Sequence, residues 1–397
     1  MRVLEVCSLY SPHAGGVETM TQELNKRIYA DGHEVVVLTK KWPDTLLGHE
    51  IINDVPVYRL LPANAQSDYE ALARSTADLA TVLAPDVIHT IGVRRPMPMI
   101  ALMLGRRYQV PVLGTVVGSE VPDVYDTSNN WIWESGKENI KPSLLQFDVV
   151  NAVSRAIATN TIRVLPELET VDVLPVGIDS SAYDTIPPSE KYLAGSYIFS
   201  LRRLEYSKGV DLLIDAYASL IQEGISLDLV IAGEGPEEQT LRHQVEMLGI
   251  TEKVHFLGKV ALDNGIGLLK SAAMTVVPSR SEGGGLINTE ANAVGCPLIA
   301  TDVGGIREYT SGDASFLIEP NSPNAIKKAI KQVLDDRNCT ESKVLEGRRI
   351  SRTLDWDIVY DRYKELYEGS VASYIPRDFV PWSSQSQRLN EIIAGTP

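Results

Sequence analysis

Residues 197–220 read YIFSLRRLEYSKGVDLLIDAYASL, and the fold turns on them. An unbroken apolar run passes into a loop with small and basic residues, and then into apolar positions at helical spacing: a buried strand, a turn and a helix. Residues 3–28, VLEVCSLYSPHAGGVETMTQELNKRI, open the chain in the same order. Between these two starts, short Val-, Ile- and Leu-rich runs from Arg2–Cys7 to Val171–Leu174 alternate with longer amphipathic segments, and the alternation resumes from Tyr197–Leu201 to Ser315–Ile318. Runs buried on both faces and separated by helices are the pattern of parallel sheets with crossover helices. The predicted class is therefore α/β, with two facing Rossmann-like doubly wound domains.

The predicted boundaries follow composition. An N-terminal domain spans 1–180, and residues 179–194, DSSAYDTIPPSEKYLA, lack periodicity and carry Pro187 and Pro188, which makes 181–194 the linker. A second domain spans 195–354. In 355–397, Asp355 reads as the N-cap of a helix carrying Trp356, Val359, Tyr360, Tyr363, Leu366 and Tyr367, expected to return to the N-terminal domain, and Pro376–Pro397 reads as an irregular tail.

The chain has 397 residues, 44% of them hydrophobic and 22% charged, which places it among folded globular proteins. With 37 Lys and Arg against 52 Asp and Glu, the net charge is −15, and both halves are acidic. That argues against nucleic acid and against more than transient contact with an anionic membrane. Three widely spaced cysteines, Cys7, Cys296 and Cys339, fit a reducing cytoplasm. No apolar stretch approaches membrane-spanning length, and the N-terminus turns polar too soon for a signal peptide.

In doubly wound sheets ligands sit beyond the carboxyl ends of the strands, so the loops there are the candidates. After the first run come Gly15 and Gly16, which let backbone approach a ligand at a helix N-terminus; a plain strand-to-helix turn is the alternative. No GxGxxG is present. After Tyr197–Leu201 come Arg202, Arg203 and Lys208-Gly209, cations suited to a diphosphate. Gly233-Glu234-Gly235-Pro236 closes another strand. Richest is residues 278–291, PSRSEGGGLINTEA, where three glycines expose amides, a helix begins near Gly285, and Glu282 and Glu290 flank the turn. Carboxylates repel phosphate, so these two are better placed to accept hydrogen bonds from sugar hydroxyls. Asp355-Trp356-Asp357 matches a metal-binding DxD string but reads more simply as a cap, and the histidines show no metal-ligand spacing.

Taken with LVIAGEGPEEQTLRHQVEMLGITEKVHFLGKV (229–260) and VLPVGID (173–179), these stretches resemble the GT-B-fold glycosyltransferases of family 4 over roughly residues 1–370. The resemblance implies two domains around a cleft and retaining transfer of a sugar from a nucleotide-sugar to an acceptor sugar, glycan or small molecule. It implies no metal, and no cofactor beyond the nucleotide-sugar substrate. By position it assigns the diphosphate to Arg203 and Lys208, the ribose to Glu290, and the donor sugar to Glu282 with Gly284, Gly285 and Leu286. Gly15 and Gly16 would close on the diphosphate, and the base would lie near Gly233 and the Phe256–Val260 segment. Two positions depart from the pattern. Val117 stands where a histidine is usual, which makes His89, on a neighbouring strand, the candidate to face the cleft. Gly284 stands where an aromatic residue is common. A nucleotide-sugar epimerase, or a non-catalytic nucleotide-sugar- or glycan-binding protein, remains the alternative function. Arg94 and Arg95 are candidates to receive an anionic acceptor group, against a plain solvated pair.

Overall fold

A computed structural model describes residues 1–13, 15–60, 69–93, 96–118, 120–122, 130–192 and 196–395. Arg94 and Arg95, and the end of the predicted linker, lie outside them. The chain divides into two units. One comprises Met1–Pro122, Asn130–Pro175 and Trp356–Pro397; the other contains Val176–Asp355.

The first unit is built on eight strands: β1 Arg2–Val6, β2 Glu34–Lys40, β3 His49–Ile52, β4 Val55–Leu60, β5 Val87–Ile91, β6 Val112–Val116, β7 Val149–Ala152 and β8 Asp172–Val173. Their order is β3-β4-β2-β1-β5-β6-β7-β8, all parallel except for the β3–β4 pair. The sequence reading lacks β3. Its four residues alternate in exposure at the sheet edge, and Asn53 and Asp54, with φ of 49° and 65°, make the two-residue reversal that pairs it with β4.

The second unit has β9 Tyr197–Leu201, β10 Asp228–Ala232, β11 Val254–Phe256, β12 Met274–Val277, β13 Leu298–Thr301 and β14 Phe316–Ile318. The order β11-β10-β9-β12-β13-β14 reverses between β9 and β12, so the loops leaving those two strands flank the topological switch point. The pleat explains the unbroken apolar runs. Ile198, Leu229, Ile231 and Val276 join one core with Leu213, Tyr217 and Ile330, while Tyr197, Phe199, Val230 and Val277 join another with Ile266, Leu269 and Ala291. Each such side chain contributes about 1.5–3 kcal/mol by leaving water.

Two stretches read as irregular contain helices. Ser180–Thr185 is helical, started by Asp179, whose side chain accepts from the Ala182 N–H. In the presumed tail, Ser383 and Ser386 form reciprocal caps for Ser384–Ala394, which buries Leu389 and Ile393. Short helices with one or two apolar anchors have too little periodicity to register in sequence.

Candidate active site

The switch point of the second unit gathers side chains from two loops. Arg202 leaves β9, and its Nη2 donates to Ser279 Oγ at 2.6 Å and to Glu282 at 2.5 Å. Lys208 Nζ lies 3.2 Å from both Glu282 oxygens. Burial pushes the Glu282 carboxyl up, but Lys208 and Arg202 outweigh it and hold the group at about 2. Two cations and one carboxylate leave the cluster with a net positive charge, next to the Gly285 turn that opens the helix Leu286–Val294. A helix start leaves its first N–H groups without intrahelical partners and adds to the attraction for anions.

Arg203 is not in this cluster. Its guanidinium is 69% exposed and pairs with Glu205 at 2.7 Å. Successive side chains leaving a strand point to opposite faces, so only one of two adjacent arginines can turn inward, and spacing does not say which.

Arg280, which sequence reasoning left without a role, ties the two loops together. Its guanidinium donates to Asp211 through two bonds of 2.8 and 2.7 Å and to the Tyr206 carbonyl at 2.7 Å, and it lies 4.0 Å over the Tyr206 ring. Its own N–H donates to the Ser207 carbonyl at 2.8 Å. The turn that presents Lys208 is thereby fastened to the loop that presents Glu282. A third loop joins them. The Glu282 carbonyl accepts the Gly305 N–H at 3.0 Å, and a Cβ on Gly304, where φ is +52°, would lie 2.0 Å from that same oxygen.

Gly233 follows β10 at φ +123°, with its backbone against Arg202, and Val260 is half-buried just before the helix Leu262–Ser271. The missing side chain of Gly284 is explained by Tyr309. A Cβ there would come within 2.7 Å of the Tyr309 ring, whose hydroxyl accepts the Val176 N–H at 2.9 Å. The aromatic bulk that position 284 lacks is supplied from another element.

Glu290 lies one helical stretch further on, 8% exposed in the helix that Leu286 begins. Among the described residues no cation offsets its burial, which pushes the carboxyl up to about 7 against a hydrogen bond from the Tyr183 hydroxyl.

In the first unit, Gly15 caps and Gly16 begins the helix Gly16–Ala30, which follows β1. Val117 is half-buried at the end of β6. The expectation for His89 is overturned. It is fully buried, with Nδ1 2.8 Å from the Tyr367 hydroxyl and 3.2 Å from Glu5, and Nε2 2.7 Å from Thr115. Both ring nitrogens are occupied in a polar cluster beneath the helix Trp356–Ser373, out of reach of a substrate. Arg106 and Arg107 are likewise structural, donating to Asp148 and to the Ile393 carbonyl. Among the described residues, no group of three or more His, Cys, Asp or Glu side chains is placed to hold a metal ion, and no helix is long and apolar enough to cross a membrane.

Residues 14–182 match the family Glycosyltransferase Family 4, and residues 184–347 match Glycosyl transferases group 1. The chain is 28% identical over 350 residues to the N-acetyl-alpha-D-glucosaminyl L-malate synthase of Bacillus anthracis, covering 82% of this chain and 86% of that one. It is 26% identical over 402 residues to the glycogen synthase of Mycobacterium tuberculosis, covering 92% and 94%. Among solved structures it is similar to Anabaena HepE in complex with UDP, with a TM-score of 0.74 and 21% identity over 93% of this chain and 100% of that one. Two Rossmann-like parallel-sheet units with this likeness define a GT-B-fold protein. The chain belongs to the GT-B glycosyltransferases of family 4, which move a sugar from a nucleotide-sugar to an acceptor.

Proposed function

We propose that the enzyme is a retaining, metal-independent transferase in which Lys208 and Arg203 hold the diphosphate of the donor, Glu290 its ribose, and Glu282 with the Gly284–Leu286 backbone its sugar. The observation that carries this reading is the Lys208–Glu282–Arg202 cluster at the switch point beside a helix start. A departing diphosphate needs its growing negative charge neutralised. Lys208 and the helix N-terminus supply positive potential there, so neither a metal nor a protein nucleophile is needed. Arg203 is drawn to the phosphates easily, because an exposed pair such as Arg203–Glu205 is worth about 1 kcal/mol or less. The acceptor hydroxyl then attacks the face that the diphosphate leaves.

The test is to incubate the protein with UDP-, GDP- and ADP-sugars while following nucleotide release and donor isomerisation; isomerisation without release would favour an epimerase. Lys208→Ala is expected to weaken nucleoside diphosphate binding by about 1.5–3 kcal/mol, the range for hydrogen bonds to charged groups. Unchanged affinity in the folded variant would remove Lys208 from the diphosphate site.

Glu290 adds a pH signature. To accept two ribose hydroxyls it must be ionised, and unliganded it holds its proton to about 7. Binding therefore releases a proton, and affinity rises with pH up to about neutrality, by at most tenfold per unit. Calorimetry in Glu290→Gln should show this slope removed and the affinity lowered; a slope surviving in the variant would place the titrating group elsewhere. The stability of the unliganded fold runs the opposite way and falls with rising pH. Burial of Glu290 costs nothing below the ordinary value of 4.5, and the cost grows as pH rises towards about 7.

A further inference from the structure

The two cations on Glu282 are held very differently. Arg202 is pinned on every side: its N–H donates to the Ala232 carbonyl at 2.9 Å, its own carbonyl lies against Gly233, and its guanidinium is 3% exposed. Nη2 is committed to Ser279 and Glu282, and Ser279 Oγ in turn donates to Glu282 at 3.2 Å. Nη1 is buried and meets no acceptor among the described residues, so Glu282 is the carboxylate this guanidinium serves, with Ser279 bridging the two. Lys208 is 20% exposed, and its ammonium, on a flexible four-carbon stem, is shared evenly between the two carboxylate oxygens.

A diphosphate arriving at Lys208 competes with Glu282 for that ammonium and carries the greater charge. Once the lysine turns towards it, a carboxylate only 12% exposed would, without Arg202, be left uncompensated, and such a group protonates or swings away. The guanidinium of Arg202 cannot follow the lysine, because its backbone and its Ser279 contact fix it. We propose that Arg202 is the positioning residue of Glu282, keeping the carboxylate ionised and aimed while Lys208 passes from Glu282 to the diphosphate of the donor. This rests on the reading of Lys208 and Glu282 given above and adds to it a division of labour: a mobile cation for the phosphate and a fixed one for the carboxylate that reads the sugar.

The experiment compares Arg202→Met, Arg202→Lys and Lys208→Ala for binding of UDP, GDP and ADP by calorimetry, and for kcat against pH with the donor found in the panel. For Arg202→Met we expect kcat near neutrality to fall by about tenfold or more and its acid limb to move up by about one pH unit or more, with diphosphate affinity within about threefold of wild type. Arg202→Lys should recover most of kcat, and Lys208→Ala should lose about tenfold or more in diphosphate affinity. Because removing one partner of a buried pair can unfold a protein, Arg202→Met is also made in Glu282→Gln, where no buried carboxylate is stranded; there it should change kcat by less than about twofold. An unchanged acid limb with a tenfold loss of diphosphate affinity in Arg202→Met would make Arg202 a phosphate ligand and overturn the inference. So would a full loss of kcat on adding Arg202→Met to Glu282→Gln. If the wild type binds none of the three diphosphates, the donor reading itself fails, and the inference with it.

Discussion

Glu282→Gln is expected to lower kcat by about two to three orders of magnitude, the range seen when one preorganised polar contact to a reacting centre is lost. The amide keeps the shape of the side chain but not its charge. It leaves Arg202 and Lys208 facing a neutral group, and it offers the donor sugar one acceptor where the carboxylate offers two. Nucleoside diphosphate affinity should not fall, and a modest gain is expected, because Lys208 no longer has a carboxylate to leave. Initial rates and calorimetry on the same preparation separate the two effects. A near-normal kcat would mean that the sugar is not read by Glu282. The same cluster sets an acid limit: with Glu282 held at about 2 against an ordinary 4.5, its share of the stability is intact above 4.5 and is lost as pH falls towards 2.

The second large effect is expected at Gly233→Ala. A Cβ at this position would sit 1.7 Å from the Arg202 carbonyl oxygen, and φ of +123° is one that an alanine rarely adopts. Neither atom can yield cheaply, since Gly233 N–H donates to Gly258 at 2.7 Å and Arg202 N–H donates to Ala232. The clash and the dihedral strain together should cost about 4 kcal/mol or more, beyond the usual range for a point substitution. Gly258→Ala is the control. Its φ is +65° with nothing within 4 Å of the added methyl, so it should cost only about 1–2 kcal/mol. Equal losses in thermal denaturation of the two variants would show that the close approach to Arg202 has no weight.

The class of fold was legible because parallel strands are buried on both faces and read as unbroken apolar runs; YIFSL at β9 needs no partner to be recognised. The edge strand β3 was not, since HEII is short and half-exposed and acquires its meaning only from its pairing with Val55–Tyr58. Glu282, Glu290 and Lys208 were legible as a pattern of charge and glycine along the chain. That Arg202 and not Arg203 would meet Glu282 was not, because the phase of the pleat just past the end of a strand is fixed by packing. His89 misled for a related reason. Whether a strand-end histidine meets a cleft or a core depends on what covers that face of the sheet, and the covering residue, Tyr367, lies 278 positions away. Arg280 carried no local signal, since its partners Asp211 and Tyr206 come from the loop and helix start after a different strand.

The cluster of Glu5, His89 and Tyr367 has a consequence for how the chain is made. Glu5 and His89 sit on neighbouring strands of the first sheet, and the hydroxyl that joins them arrives with the helix Trp356–Ser373. On a ribosome adding about 5–20 residues per second, β1 and β5 emerge early, yet their buried carboxylate and imidazole gain their cover only when almost the whole polypeptide has been synthesised. Val176–Asp355 is contiguous and carries its own core, so it has everything it needs before the closing helix appears. The half of the enzyme that is translated first is therefore the half that is completed last.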